Sequence, residues 1–151
     1  VATGSKPQTL PGLEPDGERV FTSDEAIEMK ALPKSIVIIG GGAIGIEWAS
    51  MFADVDVEVT VLEYAETILP REDREIAREM TRFLKKKGVQ VITGARVLPE
   101  TLSKNGGVTI KAVINDEEQS FQAEKMLVSV GRQAAIDGIG LENTNIKLEK
   151  G

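Results

Sequence analysis

At 151 residues, 41% of them hydrophobic and 28% charged, the chain has the size and composition of one globular domain with a full core. A net charge of −6 without any basic stripe argues against nucleic acid. No apolar run reaches membrane-helix length and no basic, apolar leader opens the chain, so a cytoplasmic setting away from membranes is expected. With neither cysteine nor histidine, a thiol pair, an imidazole base, a zinc centre and a Ser-His-Asp triad are all disfavoured, and any chemistry must come from a cofactor or from another polypeptide region.

Val1 to Arg19 is rich in glycine and proline and predicts an extended connection. Thr22 and Glu25 fit a capping box opening a short helix to about Lys30, which Leu32-Pro33 ends. Ile36 to Ile39 is a continuous β-branched run, the pattern of a parallel strand buried on both faces. It stops at Gly40, and Gly40, Gly42 and Gly45 then stand at the spacing G-x-G-x-x-G. The first glycine permits a tight turn, the second lets the backbone approach a pyrophosphate, and the third lets a helix lie close on the strand. The helix Ala43 to Ala53 carries Ile44, Trp48, Met51 and Phe52 as its expected apolar stripe, and its N-terminus offers free amides and partial positive charge. Val55, Val57, Val59 and Val61 alternate with polar residues in a second strand that ends at Glu63, eighteen residues after Gly45. That is close to the spacing of an acid that binds an adenosine ribose. Glycines alone also mark ordinary turns; strand, helix, second strand and closing acid together point to a dinucleotide.

Arg71 to Lys87 predicts an amphipathic helix with Ile76, Met80, Phe83 and Leu84 on one face, acids in its first turn, lysines in its last and Gly88 as its cap. Val89 to Thr93 reads as a third strand. Ala95 to Leu102, Val108 to Ile114 and Gln119 to Ala123 then read as short antiparallel strands, and Lys125 to Val130 as a returning parallel strand that ends at Gly131-Arg132. Asp137 to Gly151 reads as loop with a short amphipathic tail. The expected class is α/β, a Rossmann-like parallel sheet of β-α-β-α-β plus a returning fourth strand, with an inserted antiparallel three-stranded meander.

The ordered motifs Val1-Ala2-Thr3-Gly4-Ser5-Lys6-Pro7, Leu10-Pro11-Gly12, Ile39 to Glu47, Ile68-Leu69-Pro70 and Val130-Gly131-Arg132 resemble the pyridine nucleotide-disulfide oxidoreductases, nearest to the branch that acts on dihydrolipoamide. The resemblance implies a fragment of a longer chain. Residues 1–19 would be the tail of an FAD domain with a linker, and 20–151 an NAD-binding domain. Electrons would pass between a dithiol and nicotinamide through a flavin held elsewhere in the parent, itself a homodimer within a 2-oxo acid dehydrogenase complex. By the same resemblance Gly40, Gly41, Gly42, Ala43, Ile44 and Gly45 hold the pyrophosphate, and Glu63 accepts from the ribose hydroxyls. Val97 touches adenine, Ser129, Val130, Gly131 and Arg132 border the nicotinamide half, and Glu47 lies near the nicotinamide and pairs with a lysine of the FAD domain. No residue of this chain is expected to be catalytic by itself. Ala134-Ala135 stands where the family usually has Pro-Asn, and Ala43 where some members have a tyrosine over the nicotinamide. Glu63, with no arginine between Tyr64 and Pro70, favours NAD over NADP. Other readings are the NAD domain of a different disulfide or mercuric reductase, a stand-alone nucleotide-sensing module, and a fingerprint that holds FAD.

Overall fold

The computed structural model describes residues 2–148; Val1 of the opening motif and residues 149–151 of the expected tail lie outside them. The chain begins with β1 (Ser5–Pro7), β2 (Val20–Phe21) and α1 (Ser23–Ala26), and continues through β3 (Ser35–Ile39), α2 (Ala43–Asp54), β4 (Glu58–Leu62) and α3 (Arg74–Lys86). Next come β5 (Gln90–Ile92), β6 (Arg96–Ser103), β7 (Val108–Ile114), β8 (Glu117–Ala123), β9 (Lys125–Val128) and β10 (Arg132–Ala134), followed by a 3-10 turn at Leu141–Asn143. A five-stranded parallel sheet in the order β2-β9-β3-β4-β5 has the β-branched run of β3 at its centre. β6, β7 and β8 form a separate antiparallel sheet, the meander expected from the sequence. Asn115 and Asp116, at φ 50° and 65°, make the two-residue turn between β7 and β8 with the hand that suits a hairpin.

Strand alternation sends successive side chains to opposite faces of the parallel sheet. Ile36 and Ile38, Val59 and Val61, and Leu127 face α2 and α3. Val37 and Ile39, Leu62, and Met126 and Val128 face the opposite way, onto Val108, Ile110 and Ala112 of the meander. The sheet is therefore roofed by helices on one side and by β-structure on the other.

The helices meet the sequence expectation in part: Phe52 and Leu84 are buried and Trp48 and Met80 pack on the core, but other residues of the expected stripes do not. α2 buries Gly45, Ile46, Ala49 and Phe52, whereas Met51 remains 49% exposed. α3 buries Ala77 and Leu84 and leaves Ile76 57% and Phe83 47% exposed. In both helices the small residues select the contact face, because a helix lying on Gly or Ala approaches the sheet more closely and packs more atoms against it. The capping box at Thr22 and Glu25 is present, but α1 ends at Ala26 rather than near Lys30. β2, two residues long and directly before that box, escaped the sequence reading.

Residues 5–19 pack on this body. β1 pairs antiparallel with β10, and Leu13 is fully buried in the meander-side core. Asp16 accepts from the amides of Glu18, Arg19 and Val20 at 3.0, 2.7 and 2.8 Å and from Lys104 Nζ at 2.6 Å. Among the described residues, no helix is long and apolar enough to cross a membrane.

Candidate functional site

The three glycines of the turn between β3 and α2 differ in what demands them. Gly40 has φ 104°, and a Cβ there would lie 2.5 Å from the Ser129 carbonyl oxygen. At Gly45 a Cβ would lie 2.0 Å from the Gly40 carbonyl oxygen and 2.7 Å from Ser129 Oγ. Both are required by the fold, the first by backbone conformation and the second by helix–strand approach. Gly42 has φ −72° and ψ −176°, extended backbone open to any residue, and a Cβ there would meet nothing within 4 Å. The fold does not need that glycine. Its missing side chain leaves open space beside the start of α2.

That start is uncapped. Gly42 offers no side chain, and the first backbone bond onto it is from Ile46 N to Gly42 O at 3.0 Å. The amides of Ala43, Ile44 and Gly45 have no acceptor among the described residues. Three orphan donors at the positive end of a helix are suited to an anion.

Glu63, only 9% exposed, closes the other side of the turn. Its Oε2 accepts from Gly41 N at 2.5 Å and its Oε1 from Ala65 N at 2.7 Å. Gly41 also accepts on its carbonyl from Leu69 N at 2.8 Å, and Leu69 takes up the left-handed region at φ 49° to make that contact. A Cβ at Gly41 would lie 3.0 Å from Ile68 Cγ2 and 3.1 Å from Glu63 Cβ. Gly41, outside the three-glycine pattern, is thus clamped between Glu63 and the Ile68-Leu69 loop. On the strand side, Ser129 N donates to Ile39 O at 2.8 Å, and Ser129 Oγ donates to the carbonyls of Ile39 and Gly40 at 3.1 Å.

These pieces border a cleft of about 680 Å³ at the carboxyl ends of β3, β4 and β9, where open α/β sheets bind ligands. Gly40, Gly42, Ala43, Ile44, Glu63, Val97, Ser129, Val130, Gly131 and Arg132 of the expected set line it, whereas Gly41 and Gly45 lie behind the wall. Glu47 is not brought to the cleft; it is exposed on α2 and makes no ion pair among the described residues. Arg132 lines the cleft, but its guanidinium is already engaged by Ser5 Oγ and O at 2.8 Å and by Asp24 Oδ1 at 3.2 Å. Ala135 N donates to Gly4 O at 2.9 Å, so the Ala134-Ala135 segment is fixed by its main chain against the β1 region.

The family profile described as pyridine nucleotide-disulphide oxidoreductase matches residues 1–151. The chain belongs to this family. Dihydrolipoyl dehydrogenase of Bacillus subtilis is 60% identical over 152 residues, covering 100% of this chain and 32% of that protein. The Chlorobaculum tepidum enzyme of the same name is 40% identical over 151 residues, covering 100% and 32%. Among solved structures, LpdA of Mycobacterium tuberculosis superposes with a TM-score of 0.86 at 29% identity over 99% of this chain and 32% of that one. The flavoprotein disulfide reductase RclA of Escherichia coli gives 0.83 at 33% identity, covering 98% and 33%. The chain therefore spans about a third of the length of the relatives it matches. These oxidoreductases share its mixed architecture of parallel sheet and antiparallel meander.

Sequence reasoning missed several members of the cleft wall. Gln8 and Leu10 enter it from the N-terminal segment, Tyr64 and Pro70 from the loop after β4, and Arg96 and Pro99 from β6. No periodicity marks them. Only the strand returns that fold these segments together bring them to one rim.

Proposed function

We propose that this oxidoreductase chain is the NAD(H)-binding part of a flavoprotein of the dihydrolipoyl dehydrogenase kind. Residues 20–151 would be that domain, and residues 1–19 the end of the flavin domain with its connection. The observation that carries this reading is Gly42, a glycine that neither backbone conformation nor packing requires, standing open beside three unpaired amides. A diphosphate resting on those amides explains both features. Glu63, rigidly held by Gly41 and Ala65, retains lone pairs for the ribose hydroxyls and favours NAD over NADP. Val97 would contact adenine. Ser129, Val130, Gly131 and Arg132 would border the nicotinamide end, and Glu47 would face the flavin domain of the parent.

In this scheme the chain's own residues bind and orient. The nicotinamide supplies hydride exchange when bound, and the flavin, the disulfide and the dithiol substrate belong to the rest of the parent protein. Assembly as a homodimer and within a 2-oxo acid dehydrogenase complex forms part of the same proposal.

Calorimetric titration of the purified chain with NADH, NADPH and FAD tests the reading. NADH should bind, more tightly than NADPH, and FAD should not. Gly42→Val should weaken NADH about a hundredfold or more, roughly 2.7 kcal/mol, with the circular dichroism spectrum and Tm unchanged. Binding of FAD in place of NADH, or full NADH affinity in Gly42→Val, would overturn it.

A further inference from the structure

Three glycines follow a side chain that can close a ring on the next backbone nitrogen: Asp16-Gly17, Asn105-Gly106 and Asp137-Gly138. Their backbones are nearly alike, with φ 70°, 74° and 70°, and a Cβ on any of these glycines would meet nothing within 4 Å. All three are exposed. The difference lies in the residue before each glycine.

Asp16 is committed on both oxygens, one to the amides of Glu18, Arg19 and Val20 and the other to Lys104 Nζ at 2.6 Å. Asp137 Oδ2 accepts from Lys6 Nζ at 2.6 Å, and that ammonium holds its carboxyl below the usual carboxylate range. An ion-paired carboxylate is a poor electrophile, because its carbon has no leaving group until an oxygen is protonated. Asn105 is a neutral carboxamide whose nitrogen can leave as ammonia. It is exposed in the β6–β7 turn, and its side chain makes no hydrogen bond among the described residues. Gly106 N has no backbone acceptor among them either. Lys104 is turned to Asp16, and Gly107 is seated so closely that a Cβ there would lie 2.6 Å from the Ala123 carbonyl oxygen. The turn is therefore fastened on both sides of a dipeptide that is itself free.

We propose that Asn105 is a self-modification site, at which the Gly106 nitrogen closes on the Asn105 side chain. Having lost its proton to solvent hydroxide, Gly106 N adds to Asn105 Cγ. The N–Cγ bond forms, the Cγ–Nδ2 bond breaks, and ammonia leaves after taking a proton from water. A second water opens the cyclic imide at either carbonyl, giving aspartate or isoaspartate with no change in oxidation state. The tether replaces a bimolecular encounter, and a nitrogen with no Cβ beside it meets no hindrance on the way. The product gains a negative charge next to Lys104, and the isoaspartyl form adds a methylene to the main chain of the turn.

The purified chain is held in warm, mildly alkaline buffer, sampled over days, and read by anion exchange and by mass spectrometry of its peptides. Asn105 should convert at least about tenfold faster than Asn115, Asn143 or Asn145, whose following residues carry side chains. Both aspartate and isoaspartate should appear at Asn105, with a later-eluting species on the anion exchanger. Gly106→Ala should slow conversion about tenfold or more, and Asn105→Gln should remove the new species, with circular dichroism verifying that both variants fold. In urea the Asn105 rate should stay within about tenfold of the folded rate, since the folded turn leaves the dipeptide unhindered. Conversion in urea with Asn105 intact in the folded chain would show that the turn forbids ring closure and overturn the proposal. Aspartate without isoaspartate, or an unchanged rate in Gly106→Ala, would mean direct hydrolysis and overturn it as well. Isoaspartate arising as fast at Asp16 or Asp137 would overturn the selection of Asn105 by its missing partners.

Discussion

The two faces of the parallel sheet are covered by different materials and held by different means. On the helical face, α2 approaches β3 so closely that Gly45 has no room for a Cβ, and Ala49 and Ala77 continue the row of small contacts. On the meander face, larger side chains such as Ile110 and Met126 fill the gap between two sheets, as sheet-on-sheet packing at roughly 10 Å requires. Proximity fixes the first face and volume fixes the second. The candidate site belongs to the close-packed face, since its turn is the connection that brings α2 onto β3, while the meander supplies only the far wall of the cleft through residues such as Val97.

The largest expected effect comes from adding a methyl group on the tight face. Gly45→Ala would place a Cβ 2.0 Å from the Gly40 carbonyl oxygen and 2.7 Å from Ser129 Oγ, and a backbone oxygen cannot move without breaking the turn. A loss of about 4 kcal/mol or more is expected, at the upper end of single-residue effects and a large share of the total stability of a domain. Urea unfolding measures it. A loss below about 1 kcal/mol would show that α2 can slide off the strand freely, and that proximity does not define this face.

On the meander face the informative change removes volume. Ile110 is fully buried, and Ile110→Ala should cost about 3 kcal/mol through lost burial and the cavity left between two sheets that cannot easily collapse. The same urea series reads it. A change below about 1 kcal/mol would mean that the meander repacks or contributes little to the fold.

The contrast also explains what was legible in the sequence. The runs Ile36 to Ile39 and Val108 to Ile114 announced strands through composition and alternation, and Gly40, Gly42 and Gly45 announced the turn through spacing. The apolar stripes expected of α2 and α3 hold only in part, because periodicity counts hydrophobicity: Phe52 and Leu84 are buried and Trp48 and Met80 pack on the core, while Gly45, Ala49 and Ala77 share the contact face and Met51, Ile76 and Phe83 stay outside. Within the cleft, Glu63 was found by its distance from Gly45 along the chain. Its bond to Gly41, and the bond that Ala95 N makes to its carbonyl oxygen through the β5–β6 connection, depend on long-range packing for which a single sequence carries no local signal.

The smallest expected effect lies where the meander side is fastened by charge. Burial opposes ionisation of Asp16, but the Lys104 ammonium and the amides of Val20, Arg19 and Glu18 outweigh it and hold the carboxyl well below the usual carboxylate range. A carboxyl whose pKa is depressed in the folded chain stabilises above its unfolded value, near about 4, and that contribution fades as pH falls from there through the folded value. Asp16 is 28% and Lys104 41% exposed, so water moderates the ion pair and the amide bonds carry much of the effect. Asp16→Asn should therefore cost about 1–2 kcal/mol at pH 7, with the gap from the unaltered chain constant down to about pH 4 and closing below it. Lys104→Gln, which leaves the amide bonds in place, should cost only about 0.5 kcal/mol. Denaturant titrations at pH 7, 5 and 3 separate the two contributions. A gap for Asp16→Asn that persisted unchanged to pH 3 would show that shape, rather than charge, fastens the N-terminal segment to the hairpin.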